Sequence, residues 1–241
     1  MLVSRKAAGT LFIGGALAAT LGSLLYPAML GAQKVSSAPE RVIATPPTGP
    51  LTLADRDFVV KVRSAGLWEY PVGQMALKKR TTRAVKIAGE HLIAGDASLD
   101  AACRRTAGQL NITLPNQSSP QQQGFVSRMN AESGKQFDTD MATTLRATNG
   151  QTLSTIAAVR STTRNSLIRA LANLANSTVL DHITVIEKTG AVDFDQALLE
   201  ETAQPALPAQ ETAPPPPVAG QPQVVLTPPA GNTVSTSPST R

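Results

Sequence analysis

The sequence predicts an all-α fold, an antiparallel four-helix bundle with one extra short helix, and three observations carry that prediction. Apolar side chains recur at spacings of three and four through residues 51–190, the period of one helix face. Helix start signals stand where those stripes begin, and short polar or glycine-containing turns stand where they end. Alanine and aliphatic residues dominate a chain in which only 3% of residues are aromatic, a balance that suits helices better than sheets. No convincing strand pair, glycine-rich phosphate loop or nucleophile elbow interrupts the pattern.

The segment ahead of the bundle carries the targeting information. Arg5 and Lys6 precede an uncharged stretch from Ala7 to Ala32, long enough to span a bilayer. Positive charge before it holds the N-terminus in the cytoplasm, so the remainder is expected in the periplasm or cell envelope. Residues 1–32 are then either a signal peptide or an uncleaved anchor in the inner membrane. Neither cleavage position is good: Leu30 is a poor −3 residue before Gln33, and Pro39 follows the better Ser36-Ser37-Ala38. Residues 33–50 form a Pro/Ser-rich linker, too broken by proline to be a helix.

The bundle elements follow in order. Thr52 can cap the first helix, with Asp55 placed favourably for its dipole. Phe58, Val62, Ala65, Glu69, Val72 and Ala76 share one face, and Pro71 should bend the helix near Leu67. The second helix runs from Arg83 to Leu110, with Ile87, His91, Ala94, Ser98, Ala102 and Ala107 assigned to its buried side. Ser119 followed by Pro120 starts a short helix over 121–133. The third long helix carries Phe137, Met141, Leu145, Asn149, Leu153 and Ile156. The last spans Asn165–Lys188, with Ile168, Leu171, Ala175, Val179, His182 and Ile186 on one stripe. Residues 191–241, with four prolines at 214–217, read as a disordered Pro-rich tail that cannot bury enough apolar surface to offset ordering entropy.

Composition narrows the chemistry. Residues 51–190 hold 17 Lys/Arg against 11 Asp/Glu, the balance of a solvated helical surface and not of a nucleic-acid binder. One cysteine, Cys103, excludes an internal disulfide and any multi-cysteine metal site, and it lacks a base to activate it. Only two histidines exist, His91 and His182. The periodicities turn Glu69 and His182 inward, and Asp96 and Asn149 stand near the interior. Carboxylates and a histidine facing one another across helices are the way bundles build metal sites. A di-metal site would need a Glu-x-x-His pair on each of two helices, and the chain has none. Glu90-His91 and Asp181-His182 are adjacent pairs that cannot share a face. Spacing alone therefore gives a bundle with at most a thin polar core.

The run LTLADRDFVVKVRSAGLWEYPVGQMALKKRTTRAVKIAGEHLIAGDASL, with NITLP, GKQFDTDM and VLDHI after it, resembles an exported ferritin-like four-helix-bundle family of unknown function, often labelled predicted outer membrane protein. The resemblance covers Leu51–Lys188. It implies a ferritin-like bundle in the periplasm or outer envelope, with no established reaction. It also implies ligand positions: Glu69 and His182 match, Asp96 stands where a second-helix His is expected, and Thr148 and Asn149 replace an Asp–His pair. The expectation is a non-enzymatic structural or interaction module with a degenerate metal site and no catalytic residues. No cofactor is expected beyond a weakly bound divalent metal at Glu69, Asp96 and His182. The alternative is a weak metal-binding or storage bundle using the same three residues. In the structural reading, His182 is buried or half-buried and bonded to Glu69 or to a backbone carbonyl. Nothing in the sequence specifies an envelope partner or an oligomeric state.

Overall fold

The computed structural model describes residues 41–79, 81–202 and 208–229. The leader expected over 1–32 and the linker up to residue 40 lie outside the described residues. Among the described residues, seven helices and one small strand pair are formed: β1 (Val42–Ala44), β2 (Leu51–Thr52), α1 (Leu53–Lys78), α2 (Arg83–Leu110), α3 (Pro120–Ala131), α4 (Gly134–Thr162), α5 (Ser166–Glu187), α6 (Phe194–Thr202) and α7 (Ala209–Thr212). The all-α bundle is as expected. None of these helices is long and apolar enough to cross a membrane.

The strand pair corrects the expectation that none exists. β1 and β2 pair antiparallel, with Val42 opposite Thr52 and Ala44 opposite Leu51. The turn between them uses Gly49 at φ +107°, which only glycine adopts readily. A Cβ there would also lie 2.4 Å from the Arg164 carbonyl oxygen, so Gly49 lets the turn press against the start of α5. Asn165 fixes that contact. Its Nδ2 donates to Gly49 O at 2.8 Å and to Thr48 Oγ1 at 3.1 Å, while its Oδ1 caps α5 by accepting from Leu167 and Ile168 N.

The other caps are as local as the sequence suggested. Thr52 and Asp55 form a capping box on α1, and Ser119 and Gln122 form one on α3 with Pro120 at the first helical position. Thr82 caps α2, and Asn111 ends it in the left-handed region at φ +53°. Helix α1 is continuous through Pro71.

Hydrogen bonds at the helix ends fix the topology. Lys79–Thr82 links α1 to α2 and residues 163–165 link α4 to α5, turns short enough to force antiparallel neighbours. Helix α3 runs alongside α1 in the same direction. Ser64 Oγ donates to Gln122 Oε1 near its start, and Lys79 Nζ donates to Asn130 O near its end. It thus carries the chain back, and α4 begins beside α2, where Thr82 N donates to Asp138 Oδ2. The order is up, down, down, up, so the packed pairs α1–α2, α2–α5, α5–α4 and α4–α1 all run antiparallel.

The core falls into two apolar clusters. One holds Phe58, Val62, Leu99, Cys103, Ile156 and Leu171; the other holds Trp68, Val72, Leu92, Phe137, Leu145 and Ile186. The break between them comes at one level of all four long helices, where the inward residues are Glu69, Asp96, Asn149 and His182. The expected inward faces of α1, α4 and α5 are borne out, but that of α2 holds only at Ala102 and Ala107 and is corrected over residues 87–98. Val85, Ala88, Leu92, Asp96, Leu99 and Cys103 are buried, whereas Ile87 and Ser98 are exposed and His91 is half-buried. So many small residues line this helix that several stripes look equally apolar, and packing against both α1 and α5 selects the one that is buried.

Parts of the segment expected to form a disordered tail lie among the described residues. Helix α6 packs on α4, where Gln151 Nε2 donates to Glu200 O at 3.0 Å and Asp193 N to Thr143 Oγ1 at 3.0 Å. Helix α7 packs on α3, and residues 221–229 lie across α1 and α2 with Leu226 only 8% exposed. Composition argued against burial, but this segment is held through its main chain, which composition does not describe. Residues 203–207 and 230–241 lie outside the described residues.

Candidate metal centre

Four elements each supply one polar side chain to the layer between the apolar clusters. Glu69 comes from α1, Asp96 from α2, Asn149 from α4 and His182 from α5, and none is more than 4% exposed. Each stands on its helix's apolar stripe, three or four residues from buried aliphatic neighbours, so burying the stripe buries the polar group with it. Glu69, Asp96 and His182, the three residues expected to hold a metal, come together. Each offers a ligand atom lying within 4.8 Å of the others.

His182 Nδ1 faces Glu69 Oε2 at 3.5 Å, an ion-pair distance too long for a good hydrogen bond. Asn149 Nδ2 donates to the same Glu69 oxygen at 3.3 Å and to Leu145 O at 3.0 Å. Asp96 Oδ2 and both ring nitrogens of His182 are buried without a hydrogen-bond partner. Buried polar atoms are almost always paired, so three orphans in one layer require an explanation. A cavity of about 10 Å³, room for about one water molecule, lies among Glu69, Asp96, Asn149 and His182.

The electrostatics point the same way. Burial, and then the neighbouring Glu69, push the Asp96 carboxyl well above the usual carboxylate range, while His182 draws it down. Burial lowers the His182 imidazole, but the facing Glu69 carboxylate and the charges of Asp96 and Asp181 outweigh it and leave it raised. Two carboxylates and one imidazole thus share a water-poor layer. One arrangement that balances charge places a proton on Asp96 and one on His182 beside ionised Glu69. The other replaces both protons by one divalent cation. An imidazole with two carboxylates suits zinc, iron(II) or manganese(II).

Two residues that shape this centre escaped the sequence reading. A Cβ on Gly95 would lie 2.4 Å from His182 Nε2 and 2.8 Å from Thr178 Cγ2, so this glycine admits the imidazole against α2. Gly66 borders the layer more loosely: Leu226 Cδ1 and Asp96 Cβ would stand 3.4 and 3.6 Å from an added Cβ, ordinary contact distances. A glycine inside a helical stripe was the available signal. His91 is elsewhere: half-exposed, it pairs through Nδ1 with Asp181 Oδ2 at 2.7 Å. Thr148 turns its hydroxyl onto its own helix, donating to Thr144 O at 2.9 Å.

The family described as "Domain of unknown function (DUF4142)" matches residues 41–189, from the strand pair to the end of α5, and the chain belongs to that family. No curated protein and no solved structure matches it significantly.

Proposed function

We propose that this member of the DUF4142 family is an exported cell-envelope bundle, related to ferritin-like proteins, that binds one divalent transition-metal ion weakly at Glu69, Asp96 and His182. The observation that carries the metal reading is the convergence of three buried ligand groups, with Asp96 Oδ2 and both His182 nitrogens unpartnered. The up-down-down-up order, with its crossover through α3, supports the ferritin-like relation. Export rests on Arg5 and Lys6 ahead of the uncharged stretch 7–32.

The site is weak because its fourth side chain is wrong for a strong one. Asn149 offers an amide whose nitrogen already faces Glu69, so three protein ligands remain. That single-ion geometry does not supply the paired metals of a di-iron oxidase, and we assign no reaction to it.

A second reading, a non-enzymatic structural or interaction module, is favoured by the small cavity, which fits two shared protons with no ion. Metal analysis of protein purified from the envelope fraction separates the two. About one equivalent of zinc, iron or manganese is expected. Glu69→Ala and His182→Ala should each remove it while far-UV circular dichroism stays helical. Metal-free native protein after mild dialysis against each ion would leave the structural module standing. Recovery of the chain solely in the cytoplasmic fraction would overturn the export half.

A further inference from the structure

We infer that the face formed by α1, α2 and the loop after α2 is a recognition groove for an extended, proline-flanked peptide, and that residues 222–227 of the chain's own tail are its resident ligand. Five hydrogen bonds reach the main chain of this segment, and Tyr70 Oη also lies 3.5 Å from the Thr227 hydroxyl. Asn116 grips it from both sides, Nδ2 donating to Pro222 O at 3.3 Å and Oδ1 accepting from Val224 N at 3.1 Å. Arg63 Nη2 donates to Val224 O at 2.7 Å, Leu226 N donates to Asp100 Oδ2 at 3.1 Å, and Tyr70 Oη donates to Thr227 O at 2.8 Å. Recognition by main-chain groups with one side-chain pocket is how extended peptides are commonly bound. Leu226 is buried over Gly66, while Val224 and Val225 on the same segment stay exposed.

The groove's charged members are held by the bundle as well as by the peptide: Arg63 Nε donates to Pro115 O at 3.3 Å and Arg104 Nε donates to Asp100 Oδ2 at 2.9 Å. Arg63 and Asp100 form an ion pair with side chains 0% and 1% exposed. Burying such a pair is costly unless its remaining donors and acceptors find partners. The peptide adds further partners: Val224 O for the guanidinium and the Leu226 amide for the carboxylate, two residues apart on one extended strand. The ligand is also preorganised. Gln221 and Thr227 each precede a proline, which holds them extended and lowers the ordering cost of docking. The groove residues Arg63, Tyr70, Asp100 and Asn116 fall inside the family match, whereas the peptide falls outside it. The same Leu226 covers the Gly66 flank beside Asp96, so the docked peptide also shields one side of the polar layer.

Full-length chains test this independently of any metal. Leu226→Asp sets a carboxylate beside Asp100 and should eject the tail. A fluorescent peptide of residues 221–229 should then bind the L226D chain about tenfold or more tighter than the native chain, whose tethered tail competes at high effective concentration. Asn116→Ala added to L226D should abolish that binding. In the native chain, the amides of Val224 and Leu226 should exchange with solvent at least about tenfold more slowly than those of Gln223 and Val225. Equal peptide binding to native and L226D chains, or no binding to either at about millimolar peptide, would overturn the inference. So would fast exchange at Val224 and Leu226 in a chain whose helices remain protected.

Discussion

Replacing Asp96 by Asn should flatten the loss of stability that the metal-free bundle suffers as pH rises. Asp96 is 2% exposed, and burial followed by the charge of Glu69 holds its carboxyl well above its ordinary value of 3.8. The folded chain therefore binds this proton more tightly than the unfolded chain does. Between pH 3.8 and the raised folded value, the native state holds a proton that the unfolded state has released. Stability then falls with pH by about 1.4 kcal/mol per pH unit. His182 acts in the same direction: its raised folded value gives stability that is complete below 6.5 and lost as pH climbs through that folded value. Asparagine has nothing to titrate, so the D96N slope should be shallower than the native one. Urea unfolding in chelator at about pH 5, 6 and 7 measures both slopes. Adding the metal should reverse the ranking. At about 100 times its dissociation constant the ion stabilises the native chain by about 2.7 kcal/mol, and D96N should gain little of this. Parallel slopes in chelator, or equal gains on adding metal, would refute the reasoning.

Other substitutions probe how the layer and its frame are held. Gly95→Ala gains about 1 kcal/mol of helix propensity but drives a Cβ to 2.4 Å from His182 Nε2, an overpacking that costs about 1–3 kcal/mol. A net loss of urea stability together with loss of metal is expected, and unchanged metal stoichiometry would count against the placement of His182. Asn165→Ala removes the α5 cap and leaves the Gly49 carbonyl without its donor, at a cost of about 1–3 kcal/mol in thermal or urea unfolding. Cys103 is fully buried, and burial pushes its thiol up to about 12 despite the nearby Arg63. At neutral pH a thiol reagent should label it only along the global unfolding transition, and rapid labelling in native buffer would contradict that.

What could be read directly from the residues was local. Thr52 and Ser119 announced their helices because a cap is satisfied by the next three residues. The stripes of α1, α4 and α5 were legible because large aliphatic residues mark one face. On α2 that signal failed, since alanine and glycine on several sides leave Ile87 and Ser98 as plausible as Leu92 and Leu99. The β1–β2 pair escaped notice because a two-residue strand has no periodicity. Glu69, Asp96 and His182 could be named as candidates from stripe position and family resemblance. Their approach to within 4.8 Å could not, because it depends on helix rotation and on the clearance left by Gly95.

The sequence by itself therefore determined the helices, their caps and the polar residues on their inner stripes, all of which are settled by neighbours a turn or less away. Tertiary structure alone decided that those polar residues meet in one layer between two apolar clusters, and that a proline-rich tail lies bound against α1 and α2. Both outcomes rest on partners far apart in the chain, Glu69 with Asn149 and Arg63 with Val224, whose meeting is set by packing and main-chain hydrogen bonds. Composition and spacing carry no record of such contacts.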